Sequence, residues 1–212
     1  MSAIFPAMTR SVLAATLTAA FVLGAAACGG GSSPGSSDNN GQAPDTFTAS
    51  FDTTQGTFVV TVHRSWAPRG ADRFYNLVKD HFYDNQPLFR VLPGFVVQWG
   101  ISSTPSVAQK WQNATINDDP VAHPNDKGTI TFATSGPNTR TTQLFVNLAD
   151  NTSLDSQGFS PFGEVTSGFD VFSKLYNGYG DTFDQGAFTQ NGESWVRQNF
   201  PKLDWITSAS LG

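Results

Sequence analysis

Between Leu88 and Gly100 the chain reads Leu-Phe-Arg-Val-Leu-Pro-Gly-Phe-Val-Val-Gln-Trp-Gly, two short apolar runs joined by Pro93-Gly94. Proline followed by glycine is a turn signal, and the flanking runs read as strands. Strand alternation puts Phe89 and Val91 on one face, with Leu88, Arg90 and Leu92 on the other. In the second run Val96 and Gln98 share a face. Arg90 and Gln98 are therefore the strongly polar side chains in a stretch that otherwise belongs in a core. A guanidinium cannot shed its charge, and burying it unpaired is costly. Arg90 either meets a partner inside the protein, or lines a groove and meets a ligand.

The region before the fold has a different character. Residues 1–27 carry one positive side chain, Arg10, then an uncharged run rich in Ala, Leu and Val that ends in Ala25-Ala26-Ala27. That is an export signal peptide, too short for a stable membrane span. Cys28, the sole cysteine, follows directly, and Gly29 to Pro44 is a run of small and polar residues. Small residues before a single cysteine, followed by a polar tail, resemble the lipobox of bacterial lipoproteins. In that family the thiol is acylated by a diacylglycerol. Ala25 stands where leucine is usual, and plain secretion is the alternative. An unpaired thiol is otherwise a liability in an oxidising compartment. Gly29 is not the aspartate that the family uses for inner-membrane retention. The expectation is an exported protein of the cell envelope, lipid-anchored through Cys28 at the periplasmic face of the outer membrane or at the cell surface. Residues 28–45 would be a flexible tether.

Removing residues 1–27 takes away Arg10 and no acid, so the remainder is one unit more negative than the whole chain's −5. That balance argues against nucleic acid or an anionic membrane surface as partner. Residues 46–212 suit a single domain. Thr46 to Arg64 reads as a hairpin, Pro68 opens a helix with Phe74, Leu77 and Val78 on its inner stripe, and Phe169 to Asn177 reads as a second, short helix. Ile101 to Lys127 reads as loops. Strands are expected at Gly128–Ala133, Gln143–Asn147, Pro161–Val165 and Leu203–Leu211. Many short strands and two helices point to an all-β barrel or sandwich.

The familiar catalytic constellations are missing. His63, His81 and His123 are scattered, no His or Cys spacing offers a metal site, and no Gly-x-Ser-x-Gly elbow occurs. Asp118-Asp119 reads as a solvated loop pair. What remains is an aromatic-rich surface with an arginine and several amides. That set suits a reaction without proton transfer or covalent intermediates, such as rotation about a prolyl peptide bond. Its barrier comes from C–N double-bond character, so a catalyst need only bind the twisted amide better than the planar one.

Phe89 to Gly100 resembles the first signature of cyclophilin-type peptidyl-prolyl isomerases. Gly136-Pro137-Asn138-Thr139 with Gln143-Leu144-Phe145 resembles the second, and Pro161-Phe162-Gly163-Glu164-Val165 the third. The resemblance implies a mainly β fold, a closed eight-stranded antiparallel barrel capped by two α-helices. It implies prolyl cis-trans isomerisation of proline-containing polypeptides and no cofactor; we expect a monomer. Arg90 matches the family's catalytic arginine. Phe95 and Phe145 match the walls of the proline pocket, Leu154 its leucine, and Val96 stands where methionine is common. Gln98 and Gln143 match groove glutamines, and Ala133 the backbone-binding alanine. Thr134 replaces the usual asparagine beside it. Phe159 falls near a pocket histidine, and Ser153 takes the place of a tryptophan that contacts cyclosporin, so weak cyclosporin binding is expected. A proline-peptide-binding or chaperone-like holder with little turnover is the alternative. A carbohydrate-binding barrel is a third reading, disfavoured because Trp66, Trp99, Trp111, Trp195 and Trp205 scatter along the chain.

Overall fold

The computed structural model describes residues 41–212. The expected export signal and Cys28 lie outside the described residues. Strands β1 (Thr46–Thr53) and β2 (Gly56–His63) form the expected hairpin, and α1 (Pro68–Lys79) begins at its proline. Then come β3 (Gln86–Pro87), β4 (Arg90–Leu92), β5 (Val96–Trp99), α2 (Pro105–Trp111), β6 (Thr129–Phe132) and β7 (Leu144–Asn147). A 3-10 turn at Thr152–Gln157 precedes β8 (Pro161–Ser167), and a second at Phe169–Ser173 follows it. Helix α3 (Gln185–Asn199) and β9 (Trp205–Leu211) complete the chain.

The strands form one antiparallel sheet in the order β3-β9-β1-β2-β8-β6-β7-β5-β4. Its two edges, β3 and β4, are successive pieces of one segment, so the sheet curls until the chain itself joins its ends. Nine strands are present where eight are expected, because the segment is split between Pro87 and Arg90: its first part, with the Leu88 N–H donating to the Asp204 carbonyl at 2.9 Å, pairs with β9, and its second with β5. The split also overturns the expected alternation there. Leu88 and Val91 both enter the barrel core, while Phe89 packs with the α3 cluster. The segment changes partner strand here, from β9 to β5, and strand alternation need not carry across that change.

Inside the barrel Phe51 and Phe58 stack at 4.9 Å, and Trp99 meets both edge-on. Helix α1 covers the end where β1 begins, with Phe74 5.0 Å from Phe162. The Phe169–Ser173 turn covers the hairpin end, with Phe172 4.9 Å from Phe58. That turn is 3-10 rather than the expected α-helix. Two further helices are present, α2 where loops were expected and α3 in a stretch for which no element was predicted. Helix α2 is only seven residues long. Helix α3 breaks at Gly192, whose φ of 70° and ψ of −157° are not helical. A Cβ there would sit 2.6 Å from the Ser103 carbonyl, so glycine lets α3 lie close to the start of α2.

Asp119 is buried, not solvated. Its carboxylate accepts from the N–H groups of Arg69 and Gly70 at 3.1 and 2.9 Å, and from Arg140 Nη2 at 3.1 Å. An anion at a helix N-terminus satisfies donors that have no partner within the helix. Before β1, Ala43 packs into the core and its N–H donates to Asp72 Oδ1 at 2.9 Å.

Candidate active site

The outer face of β4, β5, β7 and β6 carries the site. Cross-strand register aligns Arg90 with Gln98, Gln98 with Phe145, and Phe145 with Thr131. Alternation sends Val97, Trp99, Leu144, Val146, Ile130 and Phe132 inward, which leaves this row facing out. Outward here does not mean exposed: Arg90 is 8% accessible, Gln98 1% and Phe145 0%. They are covered by loops.

Arg90 is held from two sides. Nη1 donates to Gln98 Oε1 at 3.3 Å, and Nε donates to Asp181 Oδ1. From Gln98 the polarity runs on. Gln98 Nε2 donates to Gln143 Oε1 at 2.8 Å, and Gln143 Nε2 to Gln185 Oε1 at 3.0 Å. A cation can only donate, so Arg90 turns the oxygen of Gln98 toward itself and fixes the sense of each amide behind it.

Beside this row lies an apolar cluster separate from the barrel core. It comprises Val96, Ala133, Phe145, Leu154 and Phe159, with half-buried Phe95 packed against them. Phe145 meets Phe159 edge-on at 5.7 Å, and the Arg90 guanidinium carbon lies 5.7 Å from the Phe95 ring centre. The five apolar side chains expected at the pocket, Phe95, Val96, Phe145, Leu154 and Phe159, are thus brought together next to the arginine. Leu154 is the buried residue of its 3-10 turn, and Ser153 is exposed at the rim.

The remaining expected positions form the far end of the groove. Gln98, Ala133, Thr134 and Gln143 line a small polar recess with Thr141 and Gln185. The Ala133 N–H donates to the Gln143 carbonyl at 2.9 Å, so it ties β6 to β7 rather than reaching into the groove. The Thr134 hydroxyl is tied within its own turn, to the Gly136 carbonyl and, at 2.8 Å, to Thr139 Oγ1. It does not stand in for an extended asparagine amide.

Sequence reasoning missed the groups that hold this face. Asn125 Nδ2 donates to Asp155 Oδ1 at 2.7 Å and to the Phe159 carbonyl at 2.8 Å, which fixes the loop that carries Phe159. Asn147 Nδ2 donates to Thr129 Oγ1, and Asn151 Nδ2 to the Phe95 carbonyl, each at 2.9 Å. Asn147 was open to detection, since it continues the period-two row of Phe145. Asn125, Asp181 and Gln185 come from distant segments and carry no local signal. Among the described residues no group of three or more His, Cys, Asp or Glu side chains could hold a metal ion.

A curled antiparallel sheet with an arginine, an amide row and an apolar cluster on its outer face has the architecture of the cyclophilins. A Cryptosporidium parvum cyclophilin type peptidyl-prolyl cis-trans isomerase superposes with a TM-score of 0.58 at 18% identity, covering 79% of this chain and 98% of that one. The same parasite protein, determined in the presence of the dipeptide Ala-Pro, gives 0.57 over 78% of this chain and 98% of that one, also at 18% identity. Sequence carries the assignment further. Residues 48–193 match the family described as cyclophilin type peptidyl-prolyl cis-trans isomerase/CLD. Peptidyl-prolyl cis-trans isomerase B of Escherichia coli K12 is 32% identical over 165 residues, covering 74% of this chain and 93% of that protein. A peptidyl-prolyl cis-trans isomerase of Acinetobacter baylyi is 34% identical over 131 residues, covering 59% and 69%. The chain belongs to the cyclophilin-type peptidyl-prolyl cis-trans isomerase family.

Proposed function

We propose that this chain catalyses rotation about X-Pro bonds of exported polypeptides, with Arg90 as the group that stabilises the twisted bond. The observation that carries the reading is a buried guanidinium, oriented by Gln98, at the edge of an apolar cluster separate from the barrel core. The pyrrolidine ring seats among Phe95, Val96, Phe145, Leu154 and Phe159. The peptide backbone runs along Gln98, Gln143 and the main chain of Ala133 and Thr134. As the C–N bond twists it loses double-bond character, and the imide nitrogen regains a lone pair. A guanidinium N–H donates to that lone pair, an interaction absent in the planar ground state. Only interactions stronger in the transition state than in the ground state accelerate the step. No proton is transferred and no cofactor takes part.

Acceleration of cis-trans exchange in a short X-Pro peptide tests the reading. Losing one well-placed transition-state donor commonly costs about a hundredfold or more, and Arg90→Ala should lose that much. Binding without acceleration by the wild type would instead identify a holder of proline-containing segments.

The setting is part of the proposal. The signal-like residues 1–27 and the lipobox-like approach to Cys28 support an enzyme tethered at the cell envelope, working on clients as they fold. Mass spectrometry of the mature protein should find Cys28 N-terminal and diacylated. An uncut signal or an unmodified cysteine would remove the tether.

A further inference from the structure

The segment from Asp181 to Gln185 touches the site row at three points. The Asp181 carboxylate accepts from Arg90 Nε. Phe183 stacks on Phe89, the residue before Arg90, at 5.1 Å and 17°. Gln185 accepts from Gln143 Nε2 at 3.0 Å. The segment is also anchored from behind. Phe183 meets Phe188 edge-on at 5.6 Å, Tyr179 meets Phe200 at 5.0 Å, and the Asp184 side chain caps α3 through the Ala187 N–H at 2.9 Å. The Asp181 carboxylate is thus delivered by a braced turn.

The pair is unequal. The Arg90 side chain is 9% accessible and that of Asp181 66%. An acid this exposed contributes little to stability through a single ion pair. Its effect falls on geometry. Gln98 holds the guanidinium at Nη1 and Asp181 holds it at Nε, on two different edges. Two fixed acceptors on a rigid planar fork remove rotation about the end of the side chain. We propose that Asp181 is a positioning residue for catalysis: it sets the plane of the Arg90 guanidinium before substrate arrives, so that the donor need not be ordered during the twist. This rests on the reading of Arg90 as the transition-state donor, and it predicts a loss in rate with little loss in binding.

The test uses the full-length chain and a short X-Pro peptide, with peptide affinity and on-enzyme exchange rate measured separately by NMR. Asp181→Ala and Asp181→Asn should each slow on-enzyme exchange roughly tenfold, as misplacement of a reacting group does. Peptide Kd should stay within about twofold, because positioning acts on the twisted state. Asp181→Glu should recover most of the rate. In an Arg90→Ala background, Asp181→Ala should have no further effect. Unchanged exchange in both Asp181→Ala and Asp181→Asn would overturn the proposal. So would faster exchange with tighter peptide binding, which would mean that Asp181 masks Arg90. An equal loss with and without Arg90 would overturn it as well. If Arg90→Ala alone keeps wild-type exchange, it is the donor reading that fails.

Discussion

A buried guanidinium is tolerated only where its N–H groups are met, and Arg90 has Gln98 on one edge and Asp181 on another. Half of that arrangement was legible in the sequence. Arg90 and Gln98 lie eight residues apart across one Pro-Gly turn, so strand pairing brings them opposite each other. Asp181 is 91 residues from Arg90, and nothing local marks it. The same divide holds at the rim. Ser153 stands on an exposed 3-10 turn where many family members carry a tryptophan, and that replacement was legible from the family resemblance. Cyclosporin should inhibit this protein weakly. Ser153→Trp should tighten inhibition by roughly tenfold to a hundredfold, the worth of burying one large apolar side chain. Strong inhibition of the wild type would show that the rim tryptophan is dispensable here.

Among the elements, β5 and β7 were the most readable, because alternation sorts their core residues from those of the site. Their alignment depends on Gly100, which has φ of 110°. A Cβ there would lie 2.4 Å from the Thr142 carbonyl oxygen and 2.6 Å from Gln143 Cα. Gly100→Ala should therefore push Gln143 out of the amide row. It should cost about 1–3 kcal/mol of stability from backbone strain, and lower turnover as well. Denaturant unfolding and the exchange assay check the two effects; a variant as stable and active as wild type would show that β5 and β7 can separate without harm. Helix α3 was unreadable for a physical reason. Gly186 and Gly192 weaken its propensity, the break at Gly192 interrupts its period, and its buried residues Phe188 and Val196 straddle that break. Its contribution to the site, Gln185, was lost with it.

At the scale of the whole molecule the barrel core is rich in rings, and one of them responds to pH. Tyr83 is fully buried, its hydroxyl donating to the Thr142 carbonyl at 3.1 Å. Burial pushes its phenol well above the ordinary tyrosine range, with Arg73 opposing the shift. Above about pH 10 the unfolded chain releases this proton while the folded chain keeps it. The unfolded state then binds fewer protons, so stability is full below that pH and falls as pH rises beyond it. Tyr83→Phe should flatten this part of the alkaline unfolding curve, at the cost of one buried hydrogen bond. An unchanged slope would place the alkaline loss at other groups. Family-level topology was legible because three signatures stood in order along the chain. The split of the closing segment at residues 88–89 was not, since a change of partner strand leaves no periodic mark in the sequence.

The central claim is that Arg90 acts on the twisted bond and not on the bound ground state. Exchange NMR with saturating X-Pro peptide tests it most directly, because it reads interconversion on the enzyme apart from affinity. Arg90→Ala should bind the peptide within a few-fold of wild type while its on-enzyme exchange falls about a hundredfold. Equal losses in binding and exchange, or exchange that survives the substitution, would contradict the account.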